Sequence, residues 1–594
     1  MMNRKHDFLP RACNVGLPIL VVWLLGAMAL MMARGTPKNA YLQLGTVTTT
    51  VASGNKSRIL NDILVGEVPV SPFRTDRLFI ATTQPAPMTI ESVRVLQQAN
   101  PILIGKDDSP LFDVMVTTRG NGNPQTVGKV TLRMAESTDL QDIARVRIFY
   151  QGKLFGDALS AKRELTFTDQ QMLTSGDNTF QIACEMKPTA SLDHTVDARF
   201  VSMEIDGAMH EAKQATYTGP QRIGVALRTA GQDDCHTYRI PGLATSNQGT
   251  LISVYDNRYG GNGDLPNDIN VGMSRSFNGG QTWDPMTVIM DMGDDPNWRY
   301  DGIGDPAILV DRETGRIWVA ATWSHGDRSW HGSGPGMEPE ETGQLMLAFS
   351  DDNGETWSKP RNITKQIKKP EWRFVLQGPG KGITMRDGTL VFPAQFRGVN
   401  DAPVNGKPSS TLIYSRDRGE TWTIGTGVKI DTTEAQVVEL GDGSLMINCR
   451  DDRNRSPGDG RQGRTVAITK DLGKTWKPHP TDRQALIEPN CMASLIRIEH
   501  KTHGALLVFS NPASIQSRSQ MSLKVSRDEG MTWPESWHTL YDARPGAGYS
   551  CLTRVDDDHV GVLYEGHREL YFLRFSIEDL LLDHDSKRSP GALR

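Results

Sequence analysis

Ser350-Asp-Asp352-Asn-Gly354-Glu-Thr356-Trp357 is the stretch on which the fold turns, because its pattern returns four more times. The other copies are Ser276-Phe-Asn278-Gly-Gly280-Gln-Thr282-Trp283, Ser415-Arg-Asp417-Arg-Gly419-Glu-Thr421-Trp422, Thr469-Lys-Asp471-Leu-Gly473-Lys-Thr475-Trp476 and Ser526-Arg-Asp528-Glu-Gly530-Met-Thr532-Trp533. Their starts lie 74, 65, 54 and 57 residues apart. The chemistry of the octapeptide is structural. Asp or Asn is expected to hydrogen-bond backbone groups two residues on, and glycine supplies the left-handed conformation of a tight turn. Trp then packs beside the turn as an apolar plug. An apolar strand precedes most copies, as in Leu345–Phe349 and Leu412–Tyr414. Each unit therefore reads as a small antiparallel sheet, and sheets repeated at this period predict a β-propeller. The span 221–585 accommodates six blades. The aspartates of the repeat are scaffold and are not catalytic candidates.

Ahead of the repeats, from 40 to 219, short runs alternate apolar and polar residues: Phe112–Thr118, Lys129–Met134, Ala144–Tyr150 and Phe180–Glu185. Period-two alternation in close succession predicts half-buried strands in a β-sandwich. The fold class is thus all-β, a six-bladed β-propeller preceded by a jelly-roll-like sandwich. Composition agrees: 38% hydrophobic and 23% charged residues in a 594-residue chain exclude a polytopic membrane protein and a wholly disordered one. A net charge of -5 gives no basic field for nucleic acid. Six cysteines without a CxxC pair are too sparse for a disulfide framework.

Arg4, Lys5 and Arg11 precede an apolar run from Val15 to Ala33. Residues 1–34 therefore read as an export signal, or as an uncleaved membrane anchor. Either reading places the bulk of the chain outside the cytoplasm: periplasmic, cell-surface or secreted.

Two resemblances sharpen this picture. The octapeptides are the Asp boxes of sialidases, and Tyr238-Arg239-Ile240-Pro241-Gly242 resembles the RIP motif of the exo-α-sialidases of glycoside hydrolase family 33. Leu173–Ala198 resembles the N-terminal domain that accompanies some bacterial sialidases. That second resemblance implies either a glycan-binding module or a spacer that buttresses the catalytic domain. The first implies an arginine triad holding a sugar carboxylate, because guanidinium forks match carboxylate geometry at any working pH. It places the triad at Arg239, at Arg450 in Asn448-Cys-Arg-Asp-Asp452, and at Arg518, with Arg527 a rival inside an Asp box. Glu565 matches the glutamate that orients the first arginine.

The resemblance further implies a tyrosine nucleophile, Tyr549 in Gly548-Tyr-Ser-Cys-Leu552, and a glutamate that takes its proton, Glu434. A neutral phenol suits an anomeric centre that already bears an anion, where a carboxylate nucleophile would be repelled. The acid/base is Asp264 in the loop Gly260-Gly-Asn-Gly-Asp-Leu-Pro266, with Asp268 its rival. Arg258 and Asp305 resemble residues that contact ring hydroxyls. The implied substrates are sialylated glycoconjugates, namely glycoproteins, glycolipids and oligosaccharides. The acceptor is water, or another sugar or the substrate itself in a trans-sialidase, and a non-catalytic lectin is the reading from another class. No HExxH, EF-hand loop or cysteine-rich metal pattern occurs. The chemistry is therefore expected to need no cofactor or metal, with a structural calcium left open, and no nucleic acid or obligatory protein partner is expected.

Overall fold

Apolar and polar residues alternate between Thr89 and Thr216, and the chain there forms two sheets. One has six strands, in the order Gln214–Thr216, Thr89–Leu96, Ser109–Arg119, Gly176–Met186, Ile143–Tyr150 and Lys153–Leu154. The other has four: Ala208–His210, Ala198–Ile205, Thr126–Met134 and Glu164–Met172. Val114, Val116, Phe180 and Ile182 of the first sheet share one core cluster with Val130, Leu132, Leu165 and Phe167 of the second. The four strands read from the sequence all fall inside these elements. The computed structural model describes residues 85–136, 138–293, 301–398, 406–456 and 460–582, so the basic and apolar leader at 1–34 lies outside the described residues. Among the described residues, no helix is long and apolar enough to cross a membrane.

Six further sheets follow. Their inner strands are Thr237–Thr245, Asp301–Val310, Phe374–Gln377, Thr432–Glu439, Ser494–His500 and Ser550–Arg554. Each sheet shares an apolar cluster with the next. Val254 and Ile308 join the first to the second, Trp318 and Phe392 the second to the third, and Val391 and Val437 the third to the fourth. Val438 and Leu507 join the fourth to the fifth, and Val508 and Val562 the fifth to the sixth. Leu243 and Leu563 return the sixth to the first.

Closure also uses backbone. Gln221–Arg228 pairs antiparallel with Leu570–Ser576, so the start of this region completes its last sheet. Ile102–Ile104 adds a parallel strand to Gln221–Arg228, and Thr195–Val196 pairs with it as well. The sequence suggests a boundary near residue 220, but hydrogen bonding crosses it. Two short strands of the N-terminal region belong to the closing sheet.

The Asp boxes sit where the third strand of each of the first five sheets ends. In every copy the Ser or Thr hydroxyl accepts from the glycine amide four residues on, at 2.8–2.9 Å. The carboxylate of Asp352, Asp417, Asp471 or Asp528 accepts from the Thr amide four residues on at 2.9 Å, and its other oxygen takes that Thr hydroxyl. The reach is thus four residues rather than two. The left-handed glycine (φ +82° at Gly354) turns the chain so that the Thr amide faces the carboxylate. These Thr donors hold the carboxyls of Asp352 and Asp471 down at about 2. At the sixth sheet Ser576 ends the third strand, but there it caps the helix Ile577–Leu581, its hydroxyl accepting from Asp579 at 3.1 Å. Five boxes therefore serve six sheets.

The box tryptophans plug seams. Trp357, Trp422, Trp476 and Trp533 each lie in the cluster that joins their own sheet to the preceding one, and Trp283 meets Phe572 of the sixth sheet at 5.3 Å between ring centroids. Trp422 is 3% exposed and packs on Trp318 and Phe392. Trp422→Ala is expected to cost about 3–5 kcal/mol of folding stability, read from the denaturant midpoint. The kcat of the protein that remains folded should not change, because this seam holds no residue of the site described next.

Candidate active site

Local irregularity in the inner strands aims the candidate residues. The pairing register breaks between Arg239 and Gly242, between Gly304 and Ala307, and between Thr432 and Ala435. The bulges contain Ile240, Asp305 and Glu434, and Arg239 borders the first. Ile240 and Asp305 adopt φ of +56° and +57°, which for a β-branched isoleucine is strained backbone. A bulge re-aims side chains at the cost of ladder regularity, and here it occurs at three expected site positions.

Glu565 fixes one side of the site. It is 2% exposed, and its two oxygens accept from the amides of Ile240 at 2.9 Å and Tyr549 at 2.8 Å. Arg239 Nε donates to the same carboxylate at 2.9 Å. A buried carboxylate with two amide donors and a guanidinium partner is fully satisfied. It ties the bulge of the first sheet to the start of the sixth sheet's inner strand. Gly548, at φ +91°, precedes Tyr549; a Cβ there would lie 3.0 Å from both Arg518 Cβ and Cys491 Sγ, so only glycine fits.

Tyr549 stands where the groups converge. Its hydroxyl donates to Glu434 Oε1 and accepts from Arg450 Nη1 at 3.2 Å. Arg450 Nη1 also donates to Glu434 Oε2 at 2.6 Å. The guanidinium carbons of Arg239 and Arg518 lie 5.1 and 5.6 Å from the centre of the Tyr549 ring. Burial, followed by the negative charge of Glu434, pushes the phenol well above its ordinary value, against the pull of Arg450 and Arg518. Tyr549 is therefore a neutral phenol with a carboxylate already placed to receive its proton.

Asp264 belongs to the same cluster from its exposed loop. Its Oδ1 accepts from Arg258 Nη1 at 2.7 Å and from Arg239 Nη1 at 3.3 Å. Burial works to raise its carboxyl, but Arg258 and Arg239 outweigh it and bring the group below the usual range. Among the described residues the rival Asp268 has no arginine partner, and burial and Asp291 raise it. The other rival, Arg527, lies over the Trp537 ring at 5.7 Å, within its Asp box. Arg258 is 1% exposed. Its Nε and Nη2 are held by Asp256 Oδ2 at 3.1 and 2.8 Å, and its Nη1 is shared between Asp264 and the carbonyl of Asn262. A guanidinium so held acts directly on Asp264. Asp305 sits opposite, its amide donating to Asp256 Oδ1 at 2.8 Å; burial and the neighbouring Asp256 raise its carboxyl well above the usual range.

Two residues emerge that the sequence does not single out. Asp256 orients both Arg258 and the Asp305 backbone. Asn490, at φ +56°, accepts from Arg450 Nη2 at 2.8 Å and Nε at 3.2 Å, while its backbone carbonyl accepts from Arg518 Nη2 at 3.3 Å. Its side-chain amide donates to the Asp451 carbonyl at 2.9 Å. One asparagine thus positions two of the three arginines. Asn490→Ala is expected to raise KM about tenfold, the worth of one weak charge-assisted hydrogen bond, with a smaller change in kcat. Equal losses in both parameters would contradict a positioning role.

For metals, Asp139, Asp142 and His194 bring ligand atoms within 4.8 Å of one another in the N-terminal region, but Asp142 is engaged with His194 at 2.7 Å and with the Ser191 amide at 3.2 Å. The described cysteines, Cys184, Cys235, Cys449, Cys491 and Cys551, are all buried free thiols.

A phenol against a carboxylate, three guanidinium groups around it and an exposed carboxyl beside them, carried on repeated small sheets, define a glycoside hydrolase site. The comparisons agree. The model of the BNR repeat-like domain matches residues 249–562, and that of the N-terminal domain of BNR-repeat neuraminidase matches 90–156, upstream of the stretch quoted for that resemblance. A sialidase of Bacteroides fragilis is 39% identical over 541 residues, which is 84% of this chain and 97% of that protein. A sialidase of Micromonospora viridifaciens is 34% identical over 59% of this chain and 53% of its own length. The solved Hadza microbial sialidase Hz136 is 39% identical with a TM-score of 0.75, covering 82% of this chain and 99% of that one. The chain belongs to the BNR-repeat sialidases.

Proposed function

We propose that this chain removes terminal α-linked sialic acid from glycoproteins, glycolipids and oligosaccharides by an exo mechanism that retains anomeric configuration. The single observation that carries the reading is the hydrogen bond from the Tyr549 hydroxyl to Glu434, with Arg239, Arg450 and Arg518 around the same ring. In this scheme the arginines clamp the sugar carboxylate and Tyr549 Oη attacks the anomeric carbon. The phenolic proton passes to Glu434 as the bond to the leaving oxygen breaks, and Asp264 protonates that oxygen. Water then attacks the tyrosyl glycoside, giving its proton to Asp264 while Glu434 returns one to the phenol. Asp264 must be a carboxylic acid at the first step, yet in the resting site Arg258 and Arg239 keep it ionised. Docking the substrate carboxylate on Arg239 neutralises part of that field and raises Asp264 toward the protonated form.

The same reading assigns the six sheets to propeller blades, because each packs on the next and the sixth on the first. It assigns the two N-terminal sheets to a sandwich that either binds glycan or braces the blades. It makes residues 1–34 an export signal or anchor. Proton NMR during hydrolysis of an α-sialoside tests the chemistry: the α-anomer of the free sugar should appear first. The β-anomer appearing first, or no turnover, would refute it. Asp264→Asn should lose most activity on glycans with poor leaving groups, about 10²-fold or more, and much less on an aryl sialoside that needs no acid.

A further inference from the structure

Among the described residues, the ends of the inner strands remote from Tyr549 leave two cations without counter-charge. The first, second and sixth inner strands run from the catalytic residues to Thr245, Val310 and Arg554. At that end Gly380–Lys381 adds a parallel strand to Asp301–Val310. A Cβ on Gly380 would meet Gln436, Cys551 and Met492, so this short strand hangs where several sheets converge. Lys381 Nζ donates to Thr553 Oγ1 at 3.2 Å, and the Thr553 and Thr245 hydroxyls are 3.1 Å apart. The Thr245 carbonyl accepts from Arg312 Nη1 at 2.9 Å, and Asn247 Oδ1 shares that nitrogen at 3.3 Å. Thr553 and Thr245 thus tie Lys381 to Arg312.

Among the described residues neither cation meets a carboxylate, and Nε and Nη2 of Arg312 have no partner. The electrostatics follow. Burial first, then the charge of Arg312, bring the Lys381 ammonium down to about 8. Clustered cations without acid are destabilising unless an anion joins them.

We propose that this end of the molecule binds a small oxyanion of the phosphate or sulfate class, seated between Lys381 Nζ and the free edge of Arg312. A planar guanidinium edge matches two oxyanion oxygens, and an ammonium supplies the third contact. The bound anion would brace the first, second and sixth sheets at the seam where the circuit of sheets closes.

The test compares thermal midpoints of the full chain without phosphate and with inorganic phosphate, ionic strength being matched with chloride. Phosphate at about ten times its dissociation constant should raise the midpoint by about 1–2 °C. The rise should persist in Arg450→Lys and vanish in Lys381→Met. Phosphate seated among the catalytic arginines would give the opposite pattern and overturn the assignment. In phosphate-free buffer Lys381→Met should melt no lower than the parent, since it removes an uncompensated cation. An equal rise in parent and Lys381→Met, or an equal rise from chloride, would also overturn the proposal. Should Lys381→Met fail to fold, Arg312→Gln, altered at an exposed side chain, gives the same reading.

Discussion

Replacing Tyr549 with phenylalanine is expected to lower kcat by at least about 10³-fold, the scale on which a lost nucleophile is felt. The substitution keeps the ring, so its packing against Ile240, Cys491 and Met492 survives, as do the arginines over its face. Only the hydroxyl goes, and with it the bonds to Glu434 and Arg450. Affinity for a sialoside should stay within about tenfold of the parent, since the carboxylate clamp is untouched and one hydrogen bond is worth about that much. The pairing of lost turnover with retained binding separates nucleophile from scaffold. It also disposes of the lectin reading, under which the parent itself would bind without turnover. Rapid mixing with an aryl sialoside should show a burst of aglycone only in the parent. A phenylalanine variant with full turnover would sink the assignment.

The parts of the molecule legible in the sequence are those whose physics is local. An Asp box makes its own hydrogen bonds within eight residues, so one pattern gives both the turn at Ser350–Trp357 and the tryptophan that seals the seam. Arg239, Arg450, Tyr549 and Glu565 were reachable because each stands in a short recognisable motif, although no motif shows that Glu565 caps two backbone amides. Asn490 has no such motif. Its importance arises from Arg450, forty residues away in sequence, and from a left-handed backbone that asparagine tolerates. Asp256 was hidden for a similar reason: it looks like any strand carboxylate until Arg258 and the Asp305 amide close on it. Ile102–Ile104 is too short to display period two, and its parallel pairing with Gln221–Arg228 is a wholly non-local choice. The same distinction explains Arg258. The residue type is legible, but only the fold shows that Asp256 and Asp264 grip it.

Arg239 carries the second large expectation. Its Nε and Nη2 face Glu565 and its Nη1 faces Asp264, so one guanidinium is braced by a buried carboxylate while its outer edge meets an exposed one. A substrate carboxylate would compete with Asp264 for that edge. Arg239→Lys preserves the charge beside Glu565 but loses the planar fork, and should raise KM by about 10²-fold, the worth of one to two charge-assisted hydrogen bonds. Arg239→Gln should raise it further, because the charge goes too. The glutamine variant makes a separate claim about pH. Arg239 is one of three cations that depress Asp264, with Arg258 and Arg518, so removing it lets the Asp264 carboxyl rise. An acid catalyst works in its protonated form, and the limb along which activity falls with rising pH should move to higher pH. The lysine variant, which keeps the cation, should leave that limb nearly in place. If KM does not change in either variant, Arg239 holds Glu565 and nothing more; if KM rises in both and the limb moves only in the glutamine variant, the same guanidinium both grips the sugar and sets the proton affinity of the acid beside it.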